Sequence, residues 1–189
     1  MARALPRADV RPGTSLMLIA ESVVDDAAAR AFARAAHGDG CELFRKTEAR
    51  GFLALVRGSG GEWAGWTLGP VEPLFGAGRH GEAGGEWLFR VGLWVPREHR
   101  EEFLAWYEQE HLPILLECPS WDGCRFVEAP DATGCRFIAL HQLADRAALT
   151  SPARARSRAT PWFARLKQFP WFDEPFTRVL YRRVAAGAG

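Results

Sequence analysis

Three side chains in this sequence have the types and placement for proton chemistry. His111 lies in the run Glu102–Gly123, EFLAWYEQEHLPILLECPSWDG, directly after Glu110 and two residues before Pro113. An imidazole takes or gives a proton near neutral pH, and an adjacent carboxylate can tune or orient it. Arg90, in EWLFRVGLWV, either faces an interior, where its guanidinium fork suits a carboxylate or an enolate, or sits at an edge and reaches solvent. Gly92 beside it leaves room for a ligand. In that arrangement His111 moves a proton, Glu110 orients it, and Arg90 stabilises developing negative charge. Trp94, Trp106, Tyr107, Trp121 and His141 are the candidates for holding a flat apolar substrate.

These residues need a helix and several strands to position them. Pro96 suits the first turn of a helix running to about Leu112. At about 100° per residue, Trp106, Tyr107, Glu110 and Ile114 fall within about 60° of Phe103, and His111 at about 80°. Glu98, Glu101, Glu102, Glu108 and Gln109 gather on the opposite, wet side. Pro113 lacks an amide hydrogen and disfavours helical geometry at Leu112, so the helix should end or kink there. His111 is then in the last turn, where the helix dipole favours a protonated ring. Glu110 faces inward and needs a donor, for which Arg90 or Arg125 is the expected kind of partner. His111 has two readings: a proton carrier, or a residue that bonds a carbonyl and closes the helix.

In the strand around Arg90, Trp87, Phe89, Val91 and Leu93 share one face, and Arg90, Gly92 and Trp94 share the other. Alternation gives His141 the face of Phe137 and Ala139; it reads either as a ligand contact or as a surface residue at a strand end. Tyr181 alternates with Val179 on the last strand. The two PWF segments, at 161–163 and 170–172, either cover a cavity mouth or pack a helical excursion onto the body.

The chain carries a degenerate internal repeat. VVDDAAARAF (Val23 to Phe32) aligns with WVPREHREEF (Trp94 to Phe103) at an offset of 71, DGC at 39–41 with DGC at 122–124 at 83, and FLAL at 52–55 with FIAL at 137–140 at 85. The second half reads βαββαβ, the ferredoxin-like pattern. The first half has strand, helix, strand, strand, and then a Gly- and Trp-rich segment in place of the second helix. The jump from 71 to 83 places twelve extra residues around His111, where the first half has Ala28, Ala29, Ala35 and Ala36 around Phe32 and offers no reagent. A working site should therefore be one-sided and built on the second repeat.

Bulk properties narrow the function classes. With 24 basic and 23 acidic residues the net charge is +1, so no field draws nucleic acid or acidic lipid. No apolar run reaches the roughly 20 residues of a membrane helix. Cys41, Cys118, Cys124 and Cys135 form no C-x-x-C pair and no zinc-like spacing, which points to a cytoplasmic protein with reduced thiols. The glycine-rich stretches do not follow a strand and open a helix as nucleotide-binding loops do. Eight Trp and twelve Phe suit a pocket for an apolar ligand.

The segments EEFLAWYEQEHLPILLECPSWDGCRF, RFIALHQL, LTSP and TPWFARL resemble the EthD-like branch of the dimeric α+β-barrel superfamily, whose helix reads F-x-x-W-Y-x-x-x-H-x-P. The resemblance spans roughly Trp87 to Val184. It implies an α+β fold in which ferredoxin-like units pack antiparallel sheets into a barrel, with the histidine near an apolar cavity. Two chains usually supply the units; here two tandem repeats would be fused in one. The expected organisation is an N-terminal arm (1–13), a first repeat (14–75), a linker (76–86), a second repeat (87–184) and a tail (185–189). The implied function is a cofactor-independent enzyme acting on a small hydrophobic, aromatic or polyketide-like molecule, by proton transfer coupled to oxygenation, cyclisation or isomerisation. The alternatives are a non-catalytic ligand-binding or stress-related barrel, and a haem protein with His111 as axial ligand. No metal is expected; the partners expected are a small hydrophobic molecule and a second copy in a homodimer. Chelator treatment should leave the melting temperature unchanged, and a large drop would contradict this reading of the histidines and cysteines.

Overall fold

The computed structural model describes residues 17–36, 41–57, 66–78, 85–129, 131–173 and 177–185. In the first half, β1 (Met17–Ser22), α1 (Asp26–Ala36), β2 (Glu42–Lys46), β3 (Phe52–Arg57) and β4 (Thr67–Gly78) follow in order. The second half has β5 (Trp87–Val95), α2 (Arg100–Trp106), a π-helical turn (Tyr107–His111), α3 (Leu112–Leu115), β6 (Trp121–Ala129), β7 (Cys135–Leu143), α4 (Pro152–Ser157), α5 (Pro161–Leu166) and β8 (Thr177–Arg183). The strands form one closed antiparallel barrel in the order β1-β3-β2-β8-β5-β7-β6-β4. Every strand has two neighbours, so a single chain completes the barrel and leaves no open edge.

Each group of four strands has its members in the order fourth, first, third, second. The registers are also related by the offsets in the sequence. Ser22 pairs with Phe52 and Leu93 with Phe137, which are 71 and 85 residues further on. Glu42 pairs with Leu55 and Arg125 with Leu140, at 83 and 85. Thr67 pairs with Glu21 and Thr177 with Gly92, at 110 and 71. The antiparallel pairs β2·β8 and β4·β6 join the two groups. The Gly- and Trp-rich segment differs from the expected connection: β4 is a 12-residue strand. It runs through the expected boundary at 75/76, so that linker would begin no earlier than residue 79. The N-terminal arm falls outside the described residues.

Strand alternation divides the side chains between two environments. Ile19, Phe44, Leu53, Leu55, Val71, Leu88, Val127, Ile138, Leu140 and Tyr181 fill the barrel. Phe103, Trp106, Phe126 and Phe137 pack between α2 and the outer face of β5, β6 and β7. Ala20, Ala29, Phe32 and Ala54 do the same under α1, where Asp25 caps the helix by accepting from the Ala28 amide at 2.8 Å.

Arg90 faces the barrel interior, paired to Glu21, whose carboxylate also accepts from the Tyr181 hydroxyl at 3.3 Å. Arg125 and Arg183 both bind Glu42, at 2.6 and 2.9 Å. Both expected donors for Glu110 are thus committed to other carboxylates. A buried guanidinium requires such a partner, because an unpaired charge there costs several kcal/mol.

Closure at β4·β6 depends on close backbone approach. A Cβ on Gly123 would lie 2.8 Å from the Ala77 carbonyl oxygen and 3.0 Å from Gly78 Cα, whereas one on Gly76 would meet the Cys124 carbonyl oxygen at 3.4 Å. Gly123→Ala should therefore cost about 1–3 kcal/mol and Gly76→Ala much less. Denaturant midpoints check this, and equal midpoints would contradict the tight approach.

Candidate functional site

The helix after β5 does not stop at His111. It widens into the π-helical turn Tyr107–His111 and continues as α3, with the Leu112 amide bonded to the Tyr107 carbonyl. Pro113 is the physical reason: it has no N–H to give and its ring crowds the carbonyl four residues back, and one extra residue in the turn relieves both. The turn also brings Tyr107 and His111 close together, with ring centroids 5.0 Å apart.

Tyr107, His111, Trp106, Trp121 and His141 line one cavity of about 90 Å³ between the helices and the outer face of the sheet. Phe89, Val91 and Leu93 of β5 form its floor, and Phe163 and Phe172, one from each PWF segment, form its wall. Arg90 and Trp94 are not among its lining residues. They alternate with Phe89, Val91 and Leu93, so the sheet separates the Arg90 guanidinium from His111. Trp94 instead lies against Gly134, where an added Cβ would come within 2.6 Å of its ring. Glu110 is tied to neither arginine: its carboxylate accepts from the Thr160 hydroxyl at 2.6 Å. That hydroxyl in turn accepts from the Phe163 amide at 3.1 Å and caps α5. Glu110 therefore holds the cavity wall in place, and the proton-tuning role expected of it has no geometric support.

The polar groups of the cavity form a directed chain. Trp121 Nε1 donates to His141 Nδ1 at 3.2 Å, and His141 Nε2 lies 2.7 Å from the Tyr107 hydroxyl oxygen. An indole nitrogen can only donate, so Nδ1 of His141 must be the acceptor. Burial first, then the positive charges of His111 and Arg154, lower the His141 pKa from 6.5 to about 3. The ring is neutral at pH 7, its proton is on Nε2, and it donates to Tyr107. The hydrogen of Tyr107 is thereby left for whatever occupies the cavity. Burial, reinforced by Cys124, raises the Tyr107 pKa and keeps that hydrogen in place.

His111 is half-buried as a residue, but its Nδ1 is sealed from solvent and has no partner. Burial lowers its pKa to about 4, Arg158 and Arg154 push the same way, and a hydrogen bond to the Ser157 backbone opposes them. With Nδ1 sealed and unpartnered, the ring proton is assigned to Nε2, the nitrogen left for the Ser157 backbone. The neutral ring then presents a bare Nδ1 lone pair. The Trp106 Nε1 hydrogen is also buried without a partner, 4.5 Å between ring centroids from His111. Among the aromatic rings the cavity thus offers an acceptor, His111, and two neutral donors, Tyr107 and Trp106. Such a set can take a proton and hydrogen-bond an oxygen on the same small molecule.

His141 is fully buried, so the alternative of a surface position at a strand end does not hold. Arg154, Arg158 and Arg178, which also line the cavity, were not among the sequence candidates. Among the described residues no group of three or more His, Cys, Asp or Glu could hold a metal ion, and no helix is long and apolar enough to cross a membrane.

No family model matches the chain, and no curated protein matches it. Solved structures do. An anthrone oxidase-like protein aligns at 13% identity over 96% of this chain and 97% of its own, with a TM-score of 0.64. An uncharacterised ferredoxin-fold protein from Listeria monocytogenes, related to antibiotic biosynthesis monooxygenases, aligns at 11% identity over 90% and 96%, with a TM-score of 0.62. A haem-degrading enzyme of Listeria monocytogenes, LmHde, gives 13%, 88%, 98% and 0.60. The fold is accordingly the ferredoxin-like α+β barrel.

The depressed histidines tie stability to pH. An unfolded chain protonates both rings near 6.5, while the folded chain protonates them only near 4 and 3. Their contribution is therefore complete above pH 6.5 and is lost as the pH falls through those values. The denaturant midpoint should decline between pH 6.5 and 4, with a shallower decline in His111→Gln. A wild-type midpoint that is flat over that interval would contradict burial of neutral imidazoles.

Proposed function

We propose that this chain is a cofactor-independent enzyme that removes a proton from a small aromatic molecule in the cavity between the second-half helices and the outer face of the barrel. The observation that carries this is the directed chain Trp121–His141–Tyr107 set against the bare Nδ1 of His111. His111 takes a proton from a phenol or from a carbon next to a carbonyl. Tyr107 and Trp106 donate to the oxygen on which negative charge collects, as pre-aligned donors in a dry site do. The resulting anion is the common intermediate for isomerisation, cyclisation or reaction with dioxygen. The anthrone oxidase-like and monooxygenase-related neighbours favour the last of these, by analogy of fold. With its pKa lowered to about 4 His111 is a weak base, so proton removal depends on Tyr107 and Trp106 stabilising the anion as it forms.

The haem alternative fits poorly. Ligand pockets for drug-sized molecules begin at about 300 Å³, well above the volume between Trp106, His111 and Phe163, so no step is assigned to a macrocycle. The related registers of the two strand groups support an origin by fusion of two ferredoxin-like units. The EthD-like resemblance belongs to the second unit.

His111→Ala should lower turnover by about 10² to 10⁴ with little loss of stability, and Tyr107→Phe should lower it less. The assay is deuterium exchange at the carbon next to the carbonyl of aryl ketones, run beside melting curves. A normal rate per folded His111→Ala molecule would end the catalytic reading and leave a binding protein.

A further inference from the structure

The cavity has an apolar floor and a cationic mouth. Arg154 lies in α4, Arg158 directly follows that helix, and Arg178 comes from β8, yet all three line the same cavity as His111 and Tyr107. Arg158 and Arg178 are exposed, and Arg154 is half-buried. Arg154 is fixed by a bond from its Nη1 to the Leu149 carbonyl at 2.6 Å, and Arg158 sits 5.8 Å over the Phe163 ring. Among the described residues no carboxylate pairs with any of the three, in a chain where Arg90, Arg100, Arg125, Arg156, Arg165 and Arg182 all have acidic partners.

Three like charges held around one opening repel one another. Burial first, and then Arg158 and Arg178, lower the pKa of Arg154. An anion placed between them would remove this repulsion and accept charge-assisted bonds from planar donors. Size limits what carries that anion. An engineered cavity of about 150 Å³ takes one benzene, so the volume of about 90 Å³ here holds no more than one ring, and any substituent must lie outside, at the mouth.

We propose that the site takes a one-ring aromatic acid, its ring between Trp106, Tyr107 and Phe163 and its carboxylate against Arg154, Arg158 and Arg178. This rests on the reading of the cavity as a small-molecule site and narrows it. It replaces the polyketide-like substrate expected from the family resemblance by a smaller, anionic one. A carboxylate anchored at the rim would fix the ring so that an ortho hydroxyl or an adjacent carbon faces His111.

The test compares 2-hydroxybenzoate with its neutral amide, 2-hydroxybenzamide, followed by the NMR shift of the Trp106 indole hydrogen. The acid should bind the full-length protein on the order of tenfold more tightly than the amide, and salt should narrow the gap. The Arg158→Gln/Arg178→Gln double variant alters exposed residues and should keep its melting temperature. In it the acid should lose its advantage while the amide binds as before. If acid and amide move the Trp106 signal with equal affinity, the anion proposal falls and the small-molecule site stands. If the preference for the acid survives in the double variant, Arg158 and Arg178 do not hold the anion and the three-arginine assignment falls. If neither compound moves the signal, the cavity itself is not a site for one-ring ligands and both readings fall together.

Discussion

An indole N–H can donate a hydrogen bond and cannot accept one. From that constraint the polarity of the whole cavity follows. Trp121 makes His141 an acceptor at Nδ1, neutrality makes it a donor at Nε2, and Tyr107 must turn its own hydrogen away from His141. Each link requires the next to be buried. A wetter His141 would titrate and reverse its role, and a wetter Tyr107 would satisfy its hydrogen with solvent. The aromatic packing of Phe126, Phe137 and Phe103 around these groups is therefore as much a part of the site as the polar atoms.

The barrel keeps this site separate from a second set of charges. Arg90, Arg125 and Arg183 with Glu21 and Glu42 lie in the interior, and the cavity lies on the outer face of the same strands. Alternation along β5 places Arg90 and Phe89 one residue apart on opposite sides of the sheet. The two halves differ in what covers the outer face. In the first, α1 packs Ala29 and Phe32 against Ala20 and Ala54, with Phe32 stacked on Trp66 at 4.1 Å between centroids. Small residues let α1 lie close on the sheet there. In the second half, the helix carries large aromatics and a π turn, and the added bulk holds helix and sheet apart enough to leave a cavity.

Much of this was legible in the residues. The inward face of α2 and the alternation of β5 follow from periodicity. Alternation sets Arg90 and Phe89 on opposite faces of β5 but does not tell which face borders the helix cavity. His141 was ambiguous because an isolated histidine near a strand end does not reveal a tryptophan 20 residues earlier that will bind it. The π turn could not be read either. Pro113 signals a disturbed helix, but whether the chain stops or widens depends on packing of Leu112 and Leu115, both buried. Arg154 and Arg158 sit in an arginine-rich, proline-broken segment that reads as solvated surface. Only the return of β8 shows that they converge with Arg178.

The central claim is the direction of the hydrogen-bond chain, and the ring nitrogens of the two histidines report it. Long-range ¹H–¹⁵N NMR at pH 7 should show His141 and His111 both neutral and both protonated on Nε2, with Nδ1 at the chemical shift of an unprotonated nitrogen. For His141 that nitrogen should also be shifted by its bond from Trp121. An Nδ1–H tautomer at His141, or an imidazolium at either position, would contradict the account.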